Sequence, residues 1–254
     1  MIDLSSLGPE KNYNNIAGAI EQQILAGAVV PGDALPSELS LAGTLGVHRS
    51  TIREAIRLLE QKGLVGREPG RKKLLVSIPG SAHISKTIAN AMVLDGVTVL
   101  ELWEAMDALE PAAAAGAARR VDEVILEALD ANLEATRKAL GDNLSLIDLD
   151  IEFHDLIAKA AQNRAIYVAR RPLSEFFYPA FYGVMSRLNA GPRLLAAHEH
   201  IVEGIREGDE RKAHLWMGRH IMDFRRGCEL ANLDINLPIE RPSHVPAMSE
   251  TTRS

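Results

Sequence analysis

Apolar positions recur at helical spacing through most of this chain, and the breaks in that rhythm divide it into parts. Ile16, Ile20, Ile24 and Leu25 form the first stripe, predicting a helix from Tyr13 to Ala26 that Gly27 and Pro31–Gly32 end. Ser37 can cap a second helix, Glu38–Leu45, which stops at Gly46. Val47–His48–Arg49–Ser50 opens a third that runs to Lys62, with Ile52, Ala55, Ile56 and Leu59 facing inward and Gly63 closing it. Two short extended runs follow, Leu64–Arg67 and Lys73–Ser77, around Glu68–Pro69–Gly70. The order is helix, helix–turn–helix, then a two-stranded wing, and residues 10–77 form one domain. Ser77, Pro79, Gly80 and Ser81 mark a linker over 78–83. Beyond it the period stays helical, predicting an all-helical domain over 84–231 with helices near 84–94, 98–118, 121–140, 144–162, 164–188, 191–207 and 210–231. Residues 232–254, rich in Pro, Ser and Thr, read as a disordered tail. The fold class is therefore mainly α: a winged helix-turn-helix followed by a helical bundle.

Charge changes this picture in one place. The net charge of the 254 residues is −6, which excludes a uniformly basic coat. Between Arg49 and Lys73, however, eight bases stand against three acids, a local +5 that attracts phosphate. With 46% apolar residues, both parts can bury a core. The single cysteine, Cys228, excludes an internal disulfide and reads as a packed apolar residue in a reducing cytoplasm. No stretch has the layout of a signal peptide, and no apolar run approaches the ~18 residues of a membrane helix. A cytoplasmic protein with no membrane partner is expected.

The third helix carries the first candidate chemistry. Arg49, Ser50, Arg53 and Arg57 fall mainly off its inward stripe. The N-terminal end of such a helix reaches base edges in the major groove, and an arginine fork can bond guanine O6 and N7 together. Ser50 and Thr51 can bond phosphates beside the helix amides. Leu35–Pro36–Ser37–Glu38, then Leu45–Gly46–Val47–His48–Arg49–Ser50–Thr51–Ile52–Arg53–Glu54–Ala55, then Gly63–Leu64–Val65 with a Gly70 wing tip, resembles the GntR family's winged helix-turn-helix. The resemblance implies that Arg49 and Arg53 read bases, that His48, Ser50 and Thr51 hold the backbone, and that Gly70 and Arg71 enter the minor groove. It also shows a departure: Leu39 stands where many relatives have arginine.

The second candidate is a metal site. Asp150 and His154 lie four apart, on a face with Leu146, Ile147 and Ile157. His198 shares its stripe with Leu194, Leu195, Ile201 and Ile205, and His220 with Ala213, Trp216, Met217 and Phe224. Gly208–Asp209 reads as a C-cap followed by an N-cap, so the last two helices should form an antiparallel hairpin. Residue 209 is the midpoint of 198 and 220, which puts both histidines about 15 Å from the turn, at one height. His200 falls on a charged face and is not expected to bind, while His214, off the core stripe, is left open. Three imidazoles and a carboxylate suit a divalent first-row metal, Zn first, with Ni, Mn or Fe as alternatives.

Asp150–Ile151–Glu152–Phe153–His154, His198 and Gly208–Asp209 with His220, together with Glu110–Pro111, also resemble the FCD ligand-binding domain of the FadR subfamily. That resemblance implies a helical bundle holding a divalent metal, a small organic acid as effector, and a homodimer on a palindromic double-stranded operator. Met106 stands where carboxylate-binding relatives often have arginine, four residues before the glutamate; Arg170, Arg171, Arg187 or Arg193 can compensate. Phe177 and Phe181, on one stripe, are with Met106 the expected pocket residues, suiting an aromatic or aliphatic acid. The resulting reading is a non-enzymatic, effector-responsive transcription regulator, a repressor rather than an activator. Two alternatives remain open: a metal-dependent enzyme using the same four residues, and a DNA-binding protein whose metal is purely structural.

Overall fold

Asn12 starts the first helix by accepting a hydrogen bond from the Asn15 amide, and α1 then runs Tyr13–Leu25. The structure, a computed structural model, describes residues 11–67 and 73–240. Ile16 and Ile20 are buried, whereas Leu25 is 74% exposed, correcting the expected stripe. Nine residues past Ile16, at 100° each, Leu25 points to the opposite side of the helix. α2 (Glu38–Leu45) begins where the Ser37 hydroxyl accepts from the Ser40 amide and ends at Gly46, whose φ of 64° suits glycine. α3 (Arg49–Gln61) buries the expected Ile52, Ala55, Ile56 and Leu59. β1 (Val65–Arg67) pairs antiparallel with β2 (Leu74–Val76), with Val65 opposite Val76. The loop before α2 joins this ribbon at Ala34, opposite Leu75, through the Leu35 amide on the Leu74 carbonyl. The apolar faces of these elements close into one core with Val29, Leu35 and Leu64.

The chain separates into two compact units, Met1–Ile84 and Ser85–Ser254. α4 (Ser81–Asp95) begins inside the stretch expected as linker. α5 (Val99–Arg120) opens on a capping box of Thr98 and Glu101. It is followed by α6 (Glu123–Lys138), α7 (Asn143–Ala160), α8 (Arg164–Arg187), α9 (Gly191–Arg206) and α10 (Glu210–Leu230). α5 is central, lying against α7, α8, α9 and α10. The Trp103 indole donates to the Ile221 carbonyl at 2.9 Å, tying it to α10. Gly208 (φ 69°) turns α9 into α10, and Asp209 caps α10 through the Lys212 amide. At Gly204 a Cβ would stand 2.7 Å from the Ala213 nitrogen, so these two helices meet backbone to backbone.

The disordered tail expected from residue 232 needs correcting over its first part. The Ile235 carbonyl accepts from the Leu100 amide at 2.8 Å and the Ile239 amide donates to Val97 at 2.8 Å. Ile239 is buried with Ala89, Leu102 and Phe176. Apolar side chains at 235, 237 and 239 give this segment an extended period that Pro238 obscures. Residues 241–254 lie outside the described residues.

Candidate metal centre, its cavity and the DNA-reading face

Asp150 and His154 project from α7, His198 from α9 and His220 from α10, and their candidate ligand atoms all lie within 4.8 Å of one another. Asp150 Oδ1 is 3.2 Å from His198 Nε2, 3.5 Å from His220 Nε2 and 3.8 Å from His154 Nε2. His220 Nε2 is 3.1 Å from His154 Nε2 and 3.4 Å from His198 Nε2. Donors held about 2.0–2.2 Å from one ion at tetrahedral angles stand about 3.3–3.6 Å apart, so the spacing suits a first-row cation. All four residues are buried. The level hairpin expected for His198 and His220 is present. It follows from the close α9–α10 approach at Gly204.

The chemistry of the donors also fits a cation. Asp150 Oδ1 is buried and accepts no aligned hydrogen bond, although three ring nitrogens surround it. Burial pushes the Asp150 carboxyl up, but the His154, His198 and His220 rings outweigh it and hold the group below the usual carboxylate range. Burial drives the His198 ring down to about 3, against the pull of Asp150, so this ring is neutral. A neutral imidazole and an ionised carboxylate are the forms that bind metal. Burial also lowers His154, but the carboxylates of Glu110 and Asp150 outweigh that effect and raise it.

Two residues outside the expected ligand set support the cluster. Glu110, wholly buried in α5, accepts from His154 Nδ1 at 2.9 Å and from Arg170 Nε at 2.7 Å. Burial pushes Glu110 up, yet Arg170 and His154 bring its carboxyl down to about 2. Arg170, fully buried, also pairs with Asp155. Arg170 is thus not an effector arginine, as its charge is engaged within the protein; Arg171 bonds Tyr167 and Arg187 the Ala231 carbonyl. A lone glutamate in an apolar, alanine-rich run was the available signal for Glu110.

Asp150, His154 and His220 also line a cavity of about 300 Å³. Met106, Phe177 and Phe181 line it, together with Val184, Met185 and Phe224. Arg193 reaches the cavity too, paired through Nε and Nη2 with the two Asp223 oxygens, and Arg226 lines it from an exposed position. Such an apolar chamber with a few convergent polar groups is of the kind that receives small molecules. Glu152 accepts from Asn132 and Asp155 pairs with Arg170, and neither lines the cavity as a general base. His200, half-buried and stacked on Trp216, and the exposed His214 lie outside the cluster. Cys228 is buried, and burial pushes its thiol up to about 11.

On the first unit, His48, Arg49, Ser50 and Arg53 are exposed at the start of α3, and Thr51 is half-buried. Arg49 Nε donates to Glu38 at 3.1 Å, and Glu38 also pairs with Arg67. Within the basic stretch, Glu54 pairs with Arg57 and Glu60 with Arg67, so acids inside it and Glu38 outside it orient its arginines. Leu39 is 73% exposed. Gly70 and Arg71 lie outside the described residues.

A helix-turn-helix with a two-stranded wing, followed by a helical domain enclosing a small chamber, defines a DNA-binding transcription regulator with an effector domain. A family model described as "Bacterial regulatory proteins, gntR family" matches residues 12–72, and one described as "FCD domain" matches residues 101–223. The chain belongs to the GntR family and carries an FCD domain. The Uxu operon transcriptional regulator of Escherichia coli is 26% identical over 238 residues, 91% of this chain and 92% of that protein. The HTH-type transcriptional repressor NanR of Cronobacter sakazakii is 26% identical over 223 residues, 85% of this chain and 84% of that one. Among solved structures, Streptococcus agalactiae GntR superposes with a TM-score of 0.60 at 26% identity, covering 84% of this chain and 99% of that chain. Among the described residues, no helix is long and apolar enough to cross a membrane.

Proposed function

We propose that this regulator holds a divalent metal on Asp150, His154, His198 and His220 and admits a small organic acid to the adjoining cavity, altering its affinity for operator DNA. The observation that carries this reading is the buried Asp150 Oδ1, without an aligned hydrogen bond, among three imidazole nitrogens at the wall of an apolar chamber. A divalent ion there would supply positive charge to a carboxylate oxygen, a task for which Met106 offers none. Phe177, Phe181 and Met106 would pack the acid's apolar body, so an aromatic or aliphatic monocarboxylate fits better than a sugar acid. Zn is the first choice of metal. On the DNA side, Arg49 and Arg53 read bases while His48, Ser50, Thr51, Gly70 and Arg71 hold backbone and minor groove. The protein works in the cytoplasm as a homodimer, with two recognition helices about 34–36 Å apart on a palindrome, and as a repressor.

The test combines three measurements. Elemental assay of zinc-incubated protein should find one metal per chain in wild type and none in the His154→Ala/His220→Ala double variant. A thermal-shift screen of aromatic and aliphatic acids on zinc-loaded protein should yield a ligand that changes anisotropy-measured affinity for duplex from the protein's own promoter. Metal retained by the double variant would overturn the ligand set. Turnover of a ligand would point to an enzyme, and operator affinity indifferent to every ligand would leave the metal a structural part only.

A further inference from the structure

The rings of the cluster are not held in the same way. His198 Nδ1 is buried without a hydrogen-bond partner, and its ring is stacked on Phe153, with centroids 3.6 Å apart and planes within 6°. His154 is instead tied from behind. Its Nδ1 meets Glu110 Oε2 at 2.9 Å, the other Glu110 oxygen accepts from Arg170 Nε at 2.7 Å, and Arg170 turns a second nitrogen to Asp155. Asp155 follows His154 on α7. The chain of contacts therefore leaves α7, passes through α5 and α8, and closes on α7 again beside its starting point. Glu110 and Arg170 are wholly buried, so water does not compete for the bond between them.

An ionised carboxylate only accepts. The contact at Nδ1 therefore requires a proton on that nitrogen, so that in the neutral ring the lone pair is on Nε2, which lies 3.1 Å from His220 Nε2 and 3.8 Å from Asp150 Oδ1. We propose that Glu110, clamped by Arg170, is a positioning residue that fixes His154 as the Nδ1–H tautomer and so presents Nε2 to the ion before any ion arrives. The inference rests on the metal reading above. It gives the buried ion pair a purpose: a carboxylate free to rotate would let the ring flip or change tautomer, and the ligand set would have to assemble during binding. Hydrogen bonds of this kind behind a ligating histidine are typically worth a factor of about 10–100 in metal affinity.

The experiment uses the full chain, stripped of metal and carrying 15N-labelled histidine. Long-range proton–nitrogen correlation spectra should show His154, assigned by its loss in His154→Gln, with Nδ1 protonated and Nε2 bare. In Glu110→Gln, whose amide can either donate or accept, the two tautomers should mix. Zinc affinity, measured by competition with a chromophoric chelator, should fall about 10–100-fold in that variant. Finding His154 protonated on Nε2 in the metal-free wild type overturns the proposal, even if the variant fails to fold. Zinc bound equally by wild type and a folded Glu110→Gln overturns the role of Glu110 and leaves the metal reading standing. Zinc refused by the wild type overturns the metal reading and this purpose with it.

Discussion

Replacing Asp150 with asparagine separates a metal ligand from a structural carboxylate, because the two roles give opposite signs in metal-free protein. Asp150 is 4% exposed and its Oδ1 accepts no aligned hydrogen bond. A buried polar atom left unsatisfied costs about 1–3 kcal/mol, and an ionic one more. The asparagine amide fills the same volume, carries no charge, and can donate to the His198 Nε2 that lies 3.2 Å from Oδ1. Metal-free Asp150→Asn should therefore melt at or above wild type, by up to about 1–3 kcal/mol. Zinc should reverse that order. At free zinc 1,000-fold above its Kd, binding adds about 4 kcal/mol to wild type. In a domain of about 150–250 residues each kcal/mol moves Tm by ~2–4 °C, so the shift should be ~8–16 °C. If loss of the anionic ligand lowers affinity a hundredfold, about 2.7 kcal/mol of that gain disappears. Calorimetric melts in chelator and in buffered zinc measure both signs. A variant several kcal/mol less stable than wild type in chelator, with an undiminished zinc shift, would refute the reasoning: Asp150 would be a structural anchor.

Three further outcomes are expected. Glu110 has a folded value of about 2 against an ordinary 4.5, so its contribution is fully present above the unfolded value and is lost as pH falls from about 4.5 through 2; at about 1.4 kcal/mol per unit this is on the order of 3 kcal/mol. Acid unfolding of metal-free protein should be steeper across that window in wild type than in Glu110→Gln, and parallel curves would contradict the account. Gly204→Ala sets a Cβ against the Ala213 nitrogen at 2.7 Å and should cost about 1–3 kcal/mol in denaturant melts; zinc affinity should fall with it, as the two hairpin histidines move apart. Arg49→Ala should lower discrimination among operator variants by about 1–3 kcal/mol at one base position in anisotropy titrations while the melting curve stays in place, and an unchanged preference would remove Arg49 from base reading.

How much of the fold could be read in advance depended on punctuation. α2 has the expected bounds because Ser37 and Gly46 are chemically suited to its two ends, one hydroxyl to accept the Ser40 amide and one residue tolerant of positive φ. The later helices agree to within about three residues for the same reason, with Thr98, Asp122, Asp142, Asn163 and Asp209 each accepting an amide at an N-terminus. Leu25 was misplaced because apolar character was read without its angle. Ala34 was missed because its pairing with Leu75 is a single bridge. The 232–240 segment was missed because its period-2 run, Ile235, Leu237 and Ile239, is short and interrupted by Pro238. Its partners lie more than a hundred residues away on α5 and the turn before it.

The candidate ligands and their support differ in legibility for a related reason. Asp150 and His154 are one turn apart on a single helix, and His198 and His220 are symmetric about a turn that glycine and aspartate mark. Their convergence follows from local geometry plus one hairpin. Glu110 and Arg170 are 60 residues apart on α5 and α8, and each taken alone is a charge on an otherwise buried stripe. Its charge alone argues for a wet environment there, because burying an isolated ion is prohibitive. Only the pair makes burial tolerable, and only the fold reveals the pair. The consequence reaches the cavity, since the loss of arginine at Met106 had suggested Arg170 as a substitute. With Arg170 committed to Glu110 and Asp155, and Arg193 to Asp223, no guanidinium is free deep in the chamber among the described residues. Among the described cavity-lining groups, the charge that could meet a ligand's carboxylate is left to an ion on the Asp150 cluster or to Arg226, exposed on the cavity's edge. On the proposed reading, an apolar acid with one anionic group suits such a chamber better than a diacid.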